Sequence, residues 1–375
     1  MNNFQSAQHQ QRRKIKVFIV EDGMSIRLLL QKIINAQPDM EVVGMAEHPL
    51  QASEKLREIT PDVMTLDVEM PHMSGLTFLK KIMKLRPLPV IMISTRTEKN
   101  SDDAIRALEI GAVDVIGKPS QRIADIATSS EKITNAIRAA SAARLGARTP
   151  FNEHELQQPA TDASELDKFL PLPANLPENR PPLMMIGAST GGTEAVLRVV
   201  SNLPTQLPPL LIAQHMPAGS FTASFARRLN LKTAITIVEA ENRMPLEKGH
   251  AYIAPGGKHF LVKYLNGTYY CQLHEGPSIS RHKPSVDCLF RSGLIAAGKN
   301  VCAAILTGMG EDGVKALGNI KSAGGHTMAQ NEATCIVYGM PRRAKEANAI
   351  CESLSPEDIA KKFIEKNTNK EPVHL

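Results

Sequence analysis

A chain of 375 residues is too long for one small module and, at a nominal ~150 residues per domain, implies two or three domains, each able to bury a core. Its 42% apolar and 22% charged residues exclude a wholly disordered, collagen-like or disulfide-scaffold chain, and no run approaches the ~18 consecutive apolar residues of a membrane span. The net charge of +6 is spread along the chain, Trp is absent and aromatics are 4%, which argues against a nucleic-acid partner.

In chain order, Met1 to Lys14 is polar and Gln-rich, with no apolar segment a signal peptidase could use, so residues 1–14 are expected to be a flexible arm on a cytoplasmic protein. From Lys16 to about Ala140, short apolar runs (Lys16 to Val20, Met40 to Ala46, Val63 to Leu66, Val90 to Ser94, Asp114 to Ile116) alternate with amphipathic stretches (Met24 to Asn35, Leu50 to Ile59, Leu76 to Leu85, Ser101 to Ile110, Ile123 to Ala139). Five strand-then-helix units predict a doubly wound, five-stranded parallel α/β domain over residues 15–140. Residues 141–182 carry Pro150, Pro159, Pro171, Pro173, Pro177, Pro181 and Pro182 among polar residues, and read as a linker with a short helix near Ser164 to Phe169.

A second domain is expected over residues 183–370, with strands at Leu183 to Ile186, Leu210 to Ala213 and Val301 to Leu306 and helices at Thr193 to Ser201, Phe221 to Leu229 and Ser285 to Ala297. Tyr252 to Ala254, Phe260 to Tyr264 and Thr268 to Leu273, bounded by Gly256-Gly257 and Asn266-Gly267, read as an antiparallel hairpin insert in a mostly parallel sheet. The five cysteines (Cys271, Cys288, Cys302, Cys335, Cys351) are scattered without a CxxC pair and read as reduced thiols.

Two constellations carry chemistry. Glu21 and Asp22 follow the first strand, Asp67 the third, Ser94 ends the fourth and Lys118 follows the fifth. Strand ends of an open parallel sheet converge on one crevice, where three carboxylates suit a hard cation such as Mg²⁺, and a hydroxyl with an ammonium suits a phosphoryl group on Asp67. The segments Val20-Glu-Asp22, Leu66-Asp-Val-Glu-Met-Pro71, Ile93-Ser94 and Gly117-Lys-Pro119 resemble the receiver domain of two-component response regulators. The resemblance implies Mg²⁺-dependent phosphorylation of Asp67 by a histidine kinase, Glu21, Asp22 and Asp67 on the metal, Ser94 and Lys118 as switch residues, and a cis bond before Pro119. Val115 stands where receivers often carry Tyr or Phe.

The second domain opens on a strand running into Gly187-x-Ser189-x-Gly191 and then a helix, a turn that exposes a serine hydroxyl beside free helix N-terminal amides. These glycines also suit a pyrophosphate, although the second glycine of a dinucleotide fingerprint is missing. A serine nucleophile needs a base, and His215 ends the Leu210-to-Gln214 strand; His250, His259, His274, His282 and His326 read as surface or packing side chains. Val301 to Leu306 runs into Thr307-Gly-Met-Gly-Glu-Asp-Gly313, a loop that can bring Asp312 to His215, with the amides of Thr190 and Met309 as the oxyanion site. The order Ser189, His215, Asp312 is not that of α/β-hydrolases.

Ile186-Gly-Ala-Ser-Thr-Gly-Gly-Thr193, Gln214-His-Met-Pro217, Tyr252-Ile-Ala-Pro-Gly256, His282-Lys-Pro-Ser-Val-Asp287, Ile305-Leu-Thr-Gly-Met-Gly310 and Ala329-Gln-Asn-Glu332 resemble the catalytic domain of chemotaxis protein-glutamate methylesterases. That resemblance implies demethylation of glutamate methyl esters on methyl-accepting chemotaxis receptors, with methanol released and specific glutamines deamidated. It further implies no cofactor for the ester step, a chemotaxis histidine kinase as phosphodonor, peripheral contact with membrane-bound receptors, and an unphosphorylated receiver that covers the esterase face. The segments around His282 and Asn331 read as structural or substrate-facing, and Ser285 as a helix N-cap. A DNA-binding output and a non-catalytic adaptor are the other classes open at this stage; the first lacks a basic recognition helix.

Overall fold

The computed structural model describes residues 13–71, 73–94, 98–119, 123–143 and 164–368; most of the arm at 1–14 and the linker's residues 144–163 lie outside them. The first sheet is built from β1 (Ile15–Val20), β2 (Met40–Ala46), β3 (Val63–Asp67), β4 (Val90–Ser94) and β5 (Asp114–Gly117). Its helices are α1 (Met24–Asn35), α2 (Pro49–Lys55), α3 (Gly75–Leu85), α4 (Glu98–Ile110) and α5 (Ile123–Ser141). All strands are parallel, in the order β2-β1-β3-β4-β5. Two strands consecutive along the chain, β1 and β2, lie on one side and β3 on the other, so the reversal of strand order falls at β1/β3, where Glu21, Asp22 and Asp67 emerge. Val17, Phe18, Ile19 and Val20 of β1 are all buried because helices cover both faces, which is why the strand reads as a continuous apolar run.

The linker helix α6 (Ser164–Phe169) packs on the second domain: Leu166 is buried in its core, and Asp167 accepts from the buried Arg291 at 3.1 Å. That domain contains β6 (Leu183–Ala188), α7 (Gly192–Val200), β7 (Leu210–Gln214), α8 (Phe221–Asn230), β8 (Thr236–Glu239), β9 (His250–Ile253), β10 (His259–Leu265) and β11 (Thr268–His274). It continues through α9 (Val286–Ala297), β12 (Val301–Ile305), α10 (Val314–Ser322), β13 (His326–Gln330), α11 (Met340–Glu346), β14 (Glu352–Leu354) and α12 (Pro356–Thr368). Seven parallel strands run in the order β14-β13-β12-β6-β7-β9-β8, and β10 and β11 form a separate antiparallel hairpin, register Val262↔Cys271.

The fold class is the one expected, with two corrections of detail. Tyr252 to Ala254 does not belong to the hairpin: β9 lies inside the parallel sheet between β7 and β8, pairing Leu211 with Tyr252. Its brevity and the following glycines imitated a hairpin strand, but Gly256 serves a close approach of chain to chain, since a Cβ there would lie 2.3 Å from the Pro217 carbonyl oxygen. The bond before Pro119 is not cis; among the described residues the cis X–Pro bond is Lys283–Pro284. Proline makes both isomers accessible and leaves the choice to the surroundings.

The two domains meet along α4, β5 and α5 of the first. Glu109 pairs with Arg228 and with Lys232 (2.6 Å), Asp102 with Arg227 (2.9 Å) and Glu131 with Arg281 (3.0 Å). Ile105 is buried in the apolar cluster of the second domain, and Ala139 packs against Met309 and Val337.

Candidate functional site

At the first crevice, Glu21 and Asp67 are each 1% exposed, and Lys118 Nζ donates to Glu21 Oε1 at 2.9 Å and to Asp67 Oδ2 at 2.7 Å. Burial pushes the Asp67 carboxyl up to about 7, with the Glu21 charge adding to it and Lys118 opposing. Burial likewise raises Glu21. On Lys118 burial acts downward, but Asp67 and Glu21 outweigh it and the ammonium is held above its ordinary value. One ammonium thus serves two acids: Glu21 Oε2 remains buried without a hydrogen-bond partner, and one oxygen each from Glu21, Asp22 and Asp67 lies within 4.8 Å of the others. An all-oxygen, anionic donor set with an orphaned buried oxygen fits a hard divalent cation. Ser94 is fully buried at the end of β4, next to the Ser94↔Gly117 register pair that places Lys118 on the same rim.

In the second domain, β6 lies between β12 and β7, so the loops after these three strands open onto one crevice. The ladder continues past the strands: Ser189 N donates to Thr307 O (3.0 Å) and His215 N to Ala188 O (3.0 Å). Gly191 takes a left-handed φ of 76° in the turn after Ser189. Across from it, a Cβ on Gly308 would sit 2.6 Å from that of Ser189, so the β12 loop can approach the serine only with glycine there. The side chain of Gln214 fastens the turn by donating to Ser189 O at 2.9 Å, and Gln330 Oε1 accepts from Thr307 N at 2.8 Å.

Asp312 is buried and accepts four hydrogen bonds: His215 Nε2 (2.8 Å) and Val286 N (2.7 Å) on Oδ2, Ser285 Oγ (2.8 Å) and Asp287 N (3.0 Å) on Oδ1. Burial drives its carboxyl up, but the bond from His215, the neighbouring imidazoles of His215 and His282 and the Asp287 amide outweigh burial and hold it below the ordinary carboxylate value. The amides belong to the first turn of α9, where the helix dipole favours an anion. An ionised carboxylate only accepts, so the shared proton is on Nε2 and the basic lone pair of His215 is on Nδ1. Nδ1 is buried and has no hydrogen-bond partner, so Ser189 Oγ does not bond it in this arrangement. The domain interface accounts for part of what occupies the crevice: Asp114 of β5 accepts from the Thr190 hydroxyl at 2.7 Å, beside the serine, and burial raises the Asp114 carboxyl.

The structure therefore brings together Ser189, Thr190, His215, Met309 and Asp312 as loop neighbours, and joins His215 to Asp312 directly. Three participants escaped the sequence. Ser285 is the expected N-cap, accepting from Cys288 N at 3.3 Å, but its hydroxyl also donates to Asp312. Asp114 read only as the start of a strand. His282, expected as a packing or surface side chain, stacks face to face on His215, with ring centroids 3.7 Å apart and planes 5° from parallel. No spacing rule finds a contact made by a turn between distant elements; the Ser285 cap signal three residues on was the nearest hint. Although His215, His282 and Asp312 have donor atoms within 4.8 Å, parallel rings aim their lone pairs side by side rather than at one ion. His259, by contrast, is the packing histidine expected: it is fully buried and its Nε2 bonds Pro277 O at 2.7 Å.

Comparison with known proteins agrees with this division. Residues 17–128 match the family model for the response regulator receiver domain, and residues 184–363 that for the CheB methylesterase. A protein-glutamate methylesterase/protein-glutamine glutaminase of Methylobacillus flagellatus is 47% identical over 346 residues, covering 92% of this chain and 94% of the relative. The protein of the same description from Nitrosomonas europaea is 44% identical over 353 residues, 94% of this chain and 96% of its own. The crystal structure of the Thermotoga maritima CheB methylesterase catalytic domain is 36% identical and covers 50% of this chain and 99% of its own, with a TM-score of 0.49.

Proposed function

The chain belongs to the protein-glutamate methylesterase/protein-glutamine glutaminase family, and from that premise we propose that it is a phosphorylation-regulated serine hydrolase. Its substrates are glutamate γ-methyl esters on the cytoplasmic part of methyl-accepting chemotaxis receptors, from which it releases methanol, and specific receptor glutamines, which it deamidates. The observation that carries this reading is the 2.8 Å bond from buried, ionised Asp312 to the imidazole that follows the strand beside the Ser189 turn.

His215 Nδ1 takes the Ser189 proton as Oγ attacks the ester carbonyl, and the amides of Thr190 and Met309 receive the oxyanion. Asp312 stabilises the resulting imidazolium, which protonates the departing methoxide; water then repeats the sequence on the acyl-enzyme, releasing the glutamate and restoring Ser189. A glutamine follows the same path with ammonia leaving.

In the receiver, Glu21, Asp22 and Asp67 would hold Mg²⁺, which supplies charge neutralisation for phosphoryl transfer to Asp67 from the chemotaxis histidine kinase. Lys118 pairs with the phosphoryl oxygens and the Ser94 hydroxyl donates to them. Methanol release from methylated receptor membranes should rise with a small-molecule phosphodonor and Mg²⁺ in wild type and stay flat in Asp67→Asn. Release that ignores the phosphodonor in wild type removes the regulatory half of the reading; no release at all removes the esterase half.

The unphosphorylated receiver closes the site. Its Asp114 carboxyl group occupies the Thr190 hydroxyl, and the Glu109 and Asp102 ion pairs hold α4 on α8. Val115, where an aromatic would link Asp67 to the receiver surface, is buried in the receiver core, so in this chain the adjacent Asp114 is the contact that phosphorylation must break. Asp114→Ala is expected to raise the rate without phosphodonor by about 5–30-fold, the size of a coupling of about one to two kcal/mol, and to leave the phosphodonor-stimulated rate near wild type. An unchanged basal rate in that variant would move the block elsewhere on the interface.

A further inference from the structure

We infer that His282 is a positioning residue for the ester cleavage proposed above: its imidazole, stacked on that of His215, holds the base ring in the one orientation that gives Asp312 the Nε2 proton and turns Nδ1 toward the nucleophile. The inference rests on that reading of the site. A single hydrogen bond to Asp312 fixes one edge of the His215 ring but leaves rotation about that edge open; a second flat ring 3.7 Å away and within 5° of parallel removes it. When His215 takes a proton, the face of a neutral imidazole lies against the new cation, where its π electrons favour the charge.

The chain is strained to deliver this ring. Ser280 and Arg281 both adopt left-handed φ values, 51° and 65°, in a turn closed by Ile279 N to His282 O (3.1 Å) and His282 N to Ile279 O (2.9 Å). Neither residue is glycine or asparagine, and such conformations persist where the surroundings impose them, commonly at functional sites. The ring is then locked: Ser280 O accepts from His282 Nδ1 at 2.6 Å, while Ser280 Oγ donates to Asp287 Oδ2 at 3.2 Å. The charged groups facing His282 are His215, Asp312, whose Oδ2 is 4.0 Å from Nδ1, and Lys132 of α5; burial, then the His215 charge, lowers its pKa and keeps it neutral.

The test uses the full chain with phosphodonor and Mg²⁺ and compares wild type, His282→Ala, His282→Phe and Ser189→Ala for methanol release across pH, alongside labelling of Ser189 by a fluorophosphonate probe. His282→Ala should lower kcat and the labelling rate by about 10–100-fold, the loss that follows from a misplaced base, with KM within about twofold of wild type. Its acid limb should move to lower pH by about half a unit, because the imidazolium loses the π face. His282→Phe keeps a flat ring in the stack and should recover kcat to within about threefold and return the acid limb to its wild-type position. A His282→Ala enzyme with wild-type kcat overturns the inference, as do Ala and Phe variants equally impaired with an unmoved acid limb. Wild-type activity in Ser189→Ala would instead overturn the esterase reading itself, and the inference with it.

Discussion

Ser189→Ala is expected to cut methanol release by about 10⁶-fold in the phosphodonor-stimulated enzyme, the loss typical of removing the nucleophile from a cooperating triad. The Thr307 hydroxyl cannot replace it, because it is committed to Thr190 O at 3.1 Å and accepts from Val337 N at 2.9 Å. The fold should not notice the change: the turn is held by Ser189 N on Thr307 O, by Gly192 N on Ser189 O and by Gln214 on the same carbonyl, all of which an alanine keeps. Thermal unfolding should therefore shift by no more than the equivalent of about 0.5 kcal/mol, which separates lost chemistry from lost structure. Residual catalysis of about 10³–10⁴ over water would still come from the oxyanion amides and binding. Receptor demethylation in the alanine variant within tenfold of wild type would make the chain an adaptor rather than an esterase.

What made both sites legible is that their residues follow strands. In a parallel sheet covered on both faces, each strand is an apolar run, and the polar residues at its carboxyl end fall on the ligand-binding edge; Glu21, Asp67, Ser94, Ser189 and His215 are all read from that position. Asp312 needed only the additional inference that a glycine-rich loop can fold back. What stayed hidden depends on contacts between elements distant in the chain. β8, β13 and β14 go unread because Thr236–Glu239, His326–Gln330 and Glu352–Leu354 interleave polar with apolar residues and present no continuous apolar run. β9 reads as a hairpin strand in sequence because length and flanking glycines do not report which sheet a strand joins. Asp114 and His282 make their contacts with Thr190 and His215 only when the receiver is seated and the Ile279–His282 turn is closed, and neither event leaves a period or a motif in sequence.

On the proposed reading, the docked receiver also accounts for a triad that is half assembled. The His215–Asp312 bond lies on the side of the catalytic domain's own helix α9 and is complete, whereas the Ser189 turn lies beside Thr190, which the receiver holds through Asp114. Regulation of the proposed kind would act on the nucleophile side and leave the base and its acid preorganised, so that displacement of one domain would be enough to complete the site.

Asp312→Asn is expected to lower kcat by about 10⁴-fold, close to 5.5 kcal/mol of transition-state stabilisation. The carboxylate accepts on both oxygens, so neither orientation of an amide can replace it. With the amide NH₂ at the Oδ2 position, it faces the Val286 N–H and forces His215 to accept at Nε2; the imidazole proton then moves to Nδ1, and the nitrogen needed as base becomes a donor. With the amide NH₂ at the Oδ1 position, the base keeps its tautomer, but the Asp287 N–H loses its acceptor and Ser285 must reverse its hydroxyl. Both arrangements leave a buried backbone donor unsatisfied at the start of α9, at about 1–3 kcal/mol, so the melting temperature should fall as well, unlike that of Ser189→Ala. Removing the charge should also return the neighbouring Asp287 carboxyl, which burial and then Asp312 raise to about 7, toward the ordinary range. Methanol release read beside thermal unfolding checks both parts: a stable Asn variant within tenfold of wild-type kcat would show that the acid orients the loop but not the base.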